Sequence, residues 1–253
     1  MTKLNKYLII TFLFTYIVWG IIIAYTQISN ISYSTSIFML ILYIIGVLAP
    51  MFTALILNKK MISSDEFYQF LKNSFIPPKN YKWFIFIVII TAIFQLLPFS
   101  LLGGEKNGPL YLMVLQFPLF IIIGGLEEVG WRGLMQPEME KRLSPFLSTL
   151  IIGIVWSLWH LPLFFIIGTY QYEFLNFFTF SLNTISFSFL LSVIYHHTKS
   201  VFKCIMTHAL LNSISSVYVI KESLYAELWI LALSLFIFYL ASLGNINNQS
   251  RKI

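Results

Sequence analysis

Charged residues are scarce in this chain, because only 10% of its 253 residues are Asp, Glu, Lys or Arg, whereas 58% are hydrophobic. A soluble globular domain carries about 25% charged residues, so this composition excludes a soluble protein. Cysteine is almost absent too. The one cysteine, Cys204, lies within an apolar run, which excludes an intramolecular disulfide and gives no indication of a reactive thiol. The mean hydropathy of +0.82 instead predicts an integral membrane protein.

Long apolar runs recur along the whole sequence. A helix that crosses a bilayer needs about 20 apolar residues. Eight runs meet that length, and they are residues 7–25, 36–57, 83–102, 110–130, 145–168, 174–195, 201–219 and 224–243. Nothing resembles a repeat or a second domain. The sequence therefore predicts one all-α membrane domain over residues 1–253, a polytopic bundle of about eight transmembrane helices.

Basic residues lie almost entirely on one side of the predicted bundle. If the N-terminus is cytoplasmic, 14 of the 16 Lys and Arg residues fall in cytoplasmic segments, and only Lys106 and Lys221 lie outside. Lysines and arginines accumulate in loops that stay in the cytoplasm, so both termini are predicted to be cytoplasmic. The net charge of +6 follows from this rule and from attraction to anionic lipid. The predicted partner is thus the lipid bilayer, and no nucleic acid is indicated.

One polar connection, residues 58–82, is long enough to contain a helix of its own. Ser63 and Glu66 have the spacing of a capping box, and Pro77-Pro78 ends the segment. The apolar residues that recur on one helical face between them are Phe67, Phe70, Leu71 and Phe75. We expect this amphipathic helix to lie on the cytoplasmic leaflet.

Three groups of polar residues lie inside or at the ends of the apolar runs, where a bilayer opposes them. A charged residue near the hydrocarbon costs on the order of 2.5–3.5 kcal/mol on insertion scales, so such a residue indicates a functional site. The groups are Glu127-Glu128 with Arg132, Trp156 with His160, and His208 with Asn212. In each group two residues stand four positions apart, which places them on one face of a helix. The three faces can converge in one bundle.

Together these side chains have the chemistry for hydrolysis of a peptide bond. A carboxylate and a histidine activate water by general-base catalysis, and a second histidine with an amide donates hydrogen bonds to an oxyanion. Arg132 is expected to hold Glu128 through a charge-assisted contact, which leaves Glu127 free for the water. Taken alone, each motif has a structural alternative, a surface salt bridge or an interhelical hydrogen bond.

The motifs also point to a known family. In chain order they are Glu127-Glu128-x-x-x-Arg132, Trp156-x-x-x-His160 and His208-x-x-x-Asn212. In this order on successive helices they resemble the CPBP (Abi) family of intramembrane proteases, which includes type II CAAX prenyl endopeptidases and bacteriocin-processing or bacteriocin-immunity proteins. The resemblance covers about residues 110–220. It implies an eight-helix membrane enzyme in which Glu127 and His160 activate water while His208 and Asn212 stabilise the oxyanion.

The remaining motif residues are expected to support this site. Glu128 and Arg132 form the charged pair, and Trp156 stands where the family motif commonly has Phe. Since both residues are large aromatics, we interpret Trp156 as a packing substitution that leaves the chemistry in place.

Metal use stays open at this stage. Glu127, His160 and His208 could supply three ligands of a catalytic zinc, although the sequence has no H-E-x-x-H helix. A mechanism without metal needs only the residues already named, and the resemblance points to water activation by glutamate and histidine. We therefore expect that no cofactor is required, with zinc as the alternative.

The depth of the site in the membrane is the second open point. At about 1.5 Å per residue, His160 lies ~22 Å along its helix from Pro145, whereas Glu127 lies near the cytoplasmic end of its own helix. Either the fifth helix begins well below the membrane, or the fourth segment bends back at the glycines of residues 124–130. Pro162 would kink the fifth helix and open a wet cavity there.

The sequence thus predicts an intramembrane endopeptidase that cleaves a membrane-anchored protein or peptide. Its Ile, Phe, Lys and Asn usage hints at a bacterial cell membrane, where a leader peptide or another membrane protein is a better candidate substrate than a CAAX tail. One alternative is a bacteriocin-immunity or scaffold protein that acts by binding. Another is a proton-coupled transporter, but transport predicts internal symmetry between the two halves, and the sequence shows none.

Overall fold

The computed structural model describes the backbone of residues 1–250 and the side chains of residues 1–243. Arg251 and Lys252, two of the basic residues predicted to be cytoplasmic, lie outside the described residues. The helices are α1 (Lys3–Ser29), α2 (Ile37–Val47), α3 (Ala49–Met61), α4 (Ser64–Phe75), α5 (Lys82–Leu102), α6 (Tyr111–Ile122), α7 (Glu128–Gly130), α8 (Gln136–Glu140), α9 (Pro145–His160), α10 (Tyr170–Phe174), α11 (Phe177–Thr198), α12 (Val201–Val217) and α13 (Leu224–Ser250). The two strands are β1 (Gly104–Lys106) and β2 (Tyr218–Ile220). Single 3-10 turns occur at Tyr33–Thr35, Gly125–Glu127 and Leu161–Phe165, and a π-helical turn covers Trp131–Met135.

Six helical segments in the described part of the chain are long and apolar enough to cross a membrane. A seventh is obtained if α2 and α3, which are bent by 49° relative to each other, count as one broken span. Helix α12 occupies the predicted seventh span but has 17 residues, which is short for a span of about 20. The all-α polytopic bundle is therefore confirmed, whereas the count of eight spans is not.

Helix α4 forms in the polar connection, as its capping box predicts. Glu66 Oε2 accepts a hydrogen bond from the backbone N–H of Ser63 at 2.9 Å, and the Ser63 hydroxyl accepts one from the Glu66 N–H. The backbone and hydroxyl hydrogen bonds from Ser63 lower the pKa of the Glu66 carboxyl. A Cβ at Gly133 would lie 2.8 Å from the ring of Phe70, so α4 packs closely on the bundle beside the π-helical turn.

Helices α11 and α12 form the centre of the bundle. Helices α9 and α13 pack on α11, and α5 and α6 pack on α12. Gly153 permits the close contact between α9 and α11, since a Cβ there would lie 2.8 Å from the Cα of Ile185. Helix α1 completes the core, because its fully buried Trp19 packs on Tyr43 and Trp159.

The fourth predicted span changes helix type inside the bundle, although residues 111–140 still form one helical segment long enough to cross a membrane. Helix α6 ends before Gly124, and the chain continues through a 3-10 turn into the short helix α7. A Cβ at Gly125 would lie 2.8 Å from the carbonyl oxygen of Ile205, so only glycine lets this break lie against α12. The break carries Glu127 into the interior of the protein, where its exposed fraction is 3%.

The two strands are a local exception to the predicted all-helical fold. β1 follows α5, β2 follows α12, and the strands pair antiparallel with Glu105 opposite Val219. They belong to the two connections that hold Lys106 and Lys221, the basic residues predicted to lie outside. The strand pair therefore marks the end of the bundle opposite the basic loops.

Candidate active site

Glu128 lies at the centre of a buried cluster of charged groups. Its side chain is fully buried, with Oε2 3.0 Å from Nη1 of Arg132 and Oε1 3.0 Å from Nδ1 of His208. The N–H bonds of Nη1 do not point at Oε2, so the first contact is an ion pair rather than an aligned hydrogen bond. The spacing of four residues predicts the contact between Glu128 and Arg132. The contact between Glu128 and His208 joins residues 80 positions apart, and no local pattern predicts it.

Helix α11 holds Arg132 from its other side. Arg132 Nη2 donates to the carbonyl oxygen and to the hydroxyl of Ser188, both at 3.0 Å. The Ser188 hydroxyl in turn donates to the carbonyl oxygen of Thr149 at 3.0 Å, which ties α9 to the same network. Breaking one partner of a buried ion pair is strongly destabilising because the other charge is left uncompensated. The network therefore fixes Glu128, and through it the ring of His208.

Two tryptophans hold one oxygen of Glu127. Its Oε2 accepts a hydrogen bond from Nε1 of Trp156 at 2.7 Å and a longer one from Nε1 of Trp131 at 3.4 Å. No hydrogen bond among the described residues uses Oε1, which leaves that oxygen for a molecule in the cavity. Phenylalanine has no N–H, so Trp156 gives Glu127 a hydrogen bond in addition to the packing that the sequence predicts. Trp131 was not predicted to belong to the site at all.

His160 ends α9, and its ring is oriented by that helix. The ring Nδ1 lies 2.8 Å from the carbonyl oxygen of Trp156, which only accepts, so Nδ1 carries the proton and the neutral ring has a lone pair at Nε2. A 3-10 turn that includes Pro162 follows, as the predicted kink requires. Trp159 and Phe180 pack edge-on against the ring at centroid distances of 4.6 and 5.2 Å.

His208 and Asn212 project from α12 into the space in front of Gly124. A Cβ at Gly124 would lie 2.5 Å from Nδ2 of Asn212 and 3.1 Å from Nε2 of His208. Both nitrogen atoms therefore border the same small volume, which is open because residue 124 has no side chain. The sequence indicates Gly124 only as part of a bend, because its contact with α12 depends on the tertiary fold.

The predicted residues that could touch a substrate line one cavity of ≈ 610 Å³. They are Glu127, Trp156, His160, His208 and Asn212. The cavity also reaches residues of the connections opposite the basic loops, namely Asn107, Tyr170, Gln171 and Glu222. Its volume lies in the range of ligand sites, and apolar side chains make up much of its wall. Glu128 and Arg132 do not line the cavity, and Glu128 contacts the lining residue His208.

The zinc alternative requires Glu127, His160 and His208 to act as a set of ligands. Within the described residues, no group of three His, Cys, Asp or Glu side chains is placed to hold a metal ion. The Trp156 N–H occupies only Oε2 of Glu127, and Glu128 takes only Nδ1 of His208, a contact that metal-bound histidines also make. Zinc therefore stays the alternative, and we derive no catalytic step through a metal.

Comparison with known proteins bears on the family of this chain. Residues 83–214, more than half of the chain, match the family described as type II CAAX prenyl endopeptidase Rce1-like, and this stretch contains every predicted site residue. The chain is also similar to CAAX prenyl protease 2 of Methanococcus maripaludis, with 32% identity over 191 residues and 67% of this chain covered. It spans 66% of that relative's length, just under two thirds. The resemblance seen in the three motifs is thereby confirmed: the chain belongs to the type II CAAX prenyl endopeptidase Rce1-like family.

Proposed function

We propose that the protein is an intramembrane endopeptidase that hydrolyses a peptide bond of a membrane-associated protein or peptide. One observation carries this proposal. Glu127, whose Oε1 takes part in no hydrogen bond among the described residues, lines the same cavity as His208 and Asn212, so a base and two potential donors share one site. Membership of a family of endopeptidases supports the reaction class and leaves the substrate to experiment.

Glu127 is the proposed general base. Its Oε1 takes a proton from a water molecule as the water oxygen attacks the carbonyl carbon of the peptide bond. The lone pair at Nε2 of His160 accepts a hydrogen bond from the remaining O–H and orients the water. When the C–N bond breaks, protonated Glu127 returns its proton to the leaving nitrogen. The products are one carboxyl group and one amino group, so the atoms of one water are accounted for.

His208 and Asn212 are the proposed oxyanion donors. Asn212 donates from its amide, and His208 donates from Nε2 once its ring carries both protons. The Glu128 carboxylate accepts from Nδ1 at 3.0 Å and stabilises that charged ring.

The test is cleavage by purified protein in lipid vesicles, with two probes. One is a farnesylated peptide that ends in Cys-aliphatic-aliphatic-X, and the other is a leader peptide fused to a single membrane span. Glu127→Gln should abolish cleavage because the neutral amide cannot accept the water proton, while membrane abundance stays close to wild type. Glu138→Gln is the matched control, since Glu138 contacts Lys3 and Lys141 outside the cavity.

The outcomes separate the proposed enzyme from its alternatives. Cleavage of either probe by wild type but not by Glu127→Gln supports the proposal and identifies the substrate class. If wild type cleaves neither probe, the binding-only or transport alternative gains support. Elemental analysis of the same preparation addresses zinc. Close to one metal per chain, with reversible inhibition by chelators, would contradict the metal-free mechanism.

A further inference from the structure

Strand β2 borders the cavity. Tyr218, Val219 and Ile220 all line the cavity, and no residue of β1 does. β2 also continues directly from α12, the helix that carries His208 and Asn212. The strand is therefore held rigidly relative to the proposed oxyanion donors.

The register of the strand pair determines which backbone groups of β2 are free. Glu105 stands opposite Val219, and the flanking hydrogen bonds run from Asn107 N–H to Val217 and from Lys221 N–H to Gly103. Residues 217, 219 and 221 therefore direct their N–H and C=O groups toward β1, and the residues between them direct theirs away.

The outward groups form a short open edge. They are the carbonyl of Tyr218 and both the N–H and the carbonyl of Ile220, because the Tyr218 N–H already bonds to the carbonyl of Ile214. Among the described residues, no hydrogen bond uses these three groups. An edge of this kind pairs with any extended chain that reaches it.

A peptide in this cavity needs such partners. A peptide bond inside a helix is shielded from attack, so the substrate has to unwind before it is cut. In a water-poor site, unwinding costs free energy unless the exposed main-chain N–H and C=O groups form new hydrogen bonds. Asn212 and Tyr218 are separated by about 9 Å along the helix axis at 1.5 Å per residue. An extended chain covers that distance in about three residues.

We propose that the open edge of β2 binds the main chain of the substrate, which adds as a third strand about three residues from the bond that is cut. This inference rests on the proposed endopeptidase function and adds a main-chain subsite to it. The edge bonds only to main-chain groups of the substrate. It therefore selects substrates by their ability to unwind and extend rather than by the identity of their side chains.

The decisive experiment is an N-methyl scan of the farnesylated Cys-aliphatic-aliphatic-X peptide, or of the leader peptide if that is the probe cleaved. Only every second N–H of an added strand faces its neighbour. N-methylation should therefore lower kcat/KM at alternate residues near the cut, by about 2- to 10-fold for each lost hydrogen bond. Equal losses at all positions, or none, would overturn the inference while the proposed function stands.

A substitution in the enzyme tests the same edge from the other side. Ile220→Pro removes the outward N–H and leaves the bonds to β1 intact, which is the position at which an edge strand tolerates proline. It should raise KM about 2- to 10-fold, whereas Ile220→Ala, which keeps the N–H, should change KM less. If Ile220→Pro is not recovered from the membrane, the N-methyl scan on wild type decides alone. No cleavage of the unmodified probes by wild type would refute the proposed function, and this inference with it.

Discussion

Trp156→Phe removes the shorter of the two hydrogen bonds that hold Glu127. The indole N–H of Trp156 donates to Oε2 at 2.7 Å, and phenylalanine keeps an aromatic ring but has no donor. The ring also packs edge-on against His208 at 5.1 Å and lies 5.5 Å from the guanidinium of Arg132. Phenylalanine preserves much of that packing. The substitution therefore separates the hydrogen bond from the aromatic contacts.

The magnitude follows from the charge on the acceptor. A hydrogen bond to a charged group contributes about 1.5–3 kcal/mol, and each 1.36 kcal/mol of lost transition-state stabilisation is tenfold in rate, so kcat should fall about 10- to 150-fold. The second donor, Trp131, remains at 3.4 Å and limits the freedom of the carboxylate. We therefore expect a fall near the lower end, about tenfold, with KM little changed because the indole N–H bonds to Glu127 and not to the substrate.

The assay is cleavage of the probe peptide in vesicles, with kcat and KM measured separately and membrane abundance measured by immunoblot. Trp131→Phe provides a graded comparison, because its longer hydrogen bond should contribute less than that of Trp156. Trp83→Phe is the control, since Trp83 stacks on His197 away from the cavity. Wild-type kcat in Trp156→Phe, or a loss confined to abundance, would show that Trp156 only packs. Equal losses from the two site tryptophans would contradict the ranking by distance.

Substitutions at three further positions test the rest of the site. Arg132→Ala should destabilise the protein by about 3–5 kcal/mol, because Glu128 is fully buried and loses its ion pair. Both membrane abundance and activity should therefore fall, and full activity would show that the pair is dispensable. Asn212→Ala should lower kcat by roughly 10²–10³-fold with little change in KM. Asn212→Asp should also be inactive because a carboxylate repels the oxyanion, so retained activity in that variant would refute an oxyanion role. Gly124→Ala places a methyl group 2.5 Å from Nδ2 of Asn212 and should reduce kcat at least as much as Asn212→Ala. Its control is Gly20→Ala, where a Cβ meets nothing within 4 Å, and similar losses in both variants would argue against a special role for the space at Gly124.

Much of the fold could be predicted because it follows from short-range rules. Apolar runs of about 20 residues predict membrane helices, and the Ser63–Glu66 spacing predicts the capping box that α4 has. Spacing of four residues likewise predicts that Glu128 and Arg132 meet. Each of these features depends on residues within one or two helical turns. The count of eight spans is not confirmed where helices are short or broken, because hydropathy measures the length of an apolar run and not the continuity of its helix.

The site could be predicted only in part, because its decisive contacts join distant segments. The type of residue at position 156 indicates a large ring, but whether the indole N–H meets a carboxylate depends on how α9 packs against the 3-10 turn at Glu127. Trp131 lies in a π-helical turn, whose extra residue shifts the face that a regular helix would present. The contact of His208 with Glu128 requires α12 to pass beside α7. None of these arrangements has a local pattern.

The two breaks in the helices explain why the catalytic candidates lie where they do. Irregular backbone at membrane depth is tolerated only where it is buried in protein or lines a cavity that contains water. One break, at Gly124 and the 3-10 turn after it, carries Glu127; the other, the 3-10 turn that contains Pro162, begins where α9 ends at His160. Both residues line the same cavity. The glycine and proline that interrupt these helices thus bring the proposed base and its histidine partner to the same cavity.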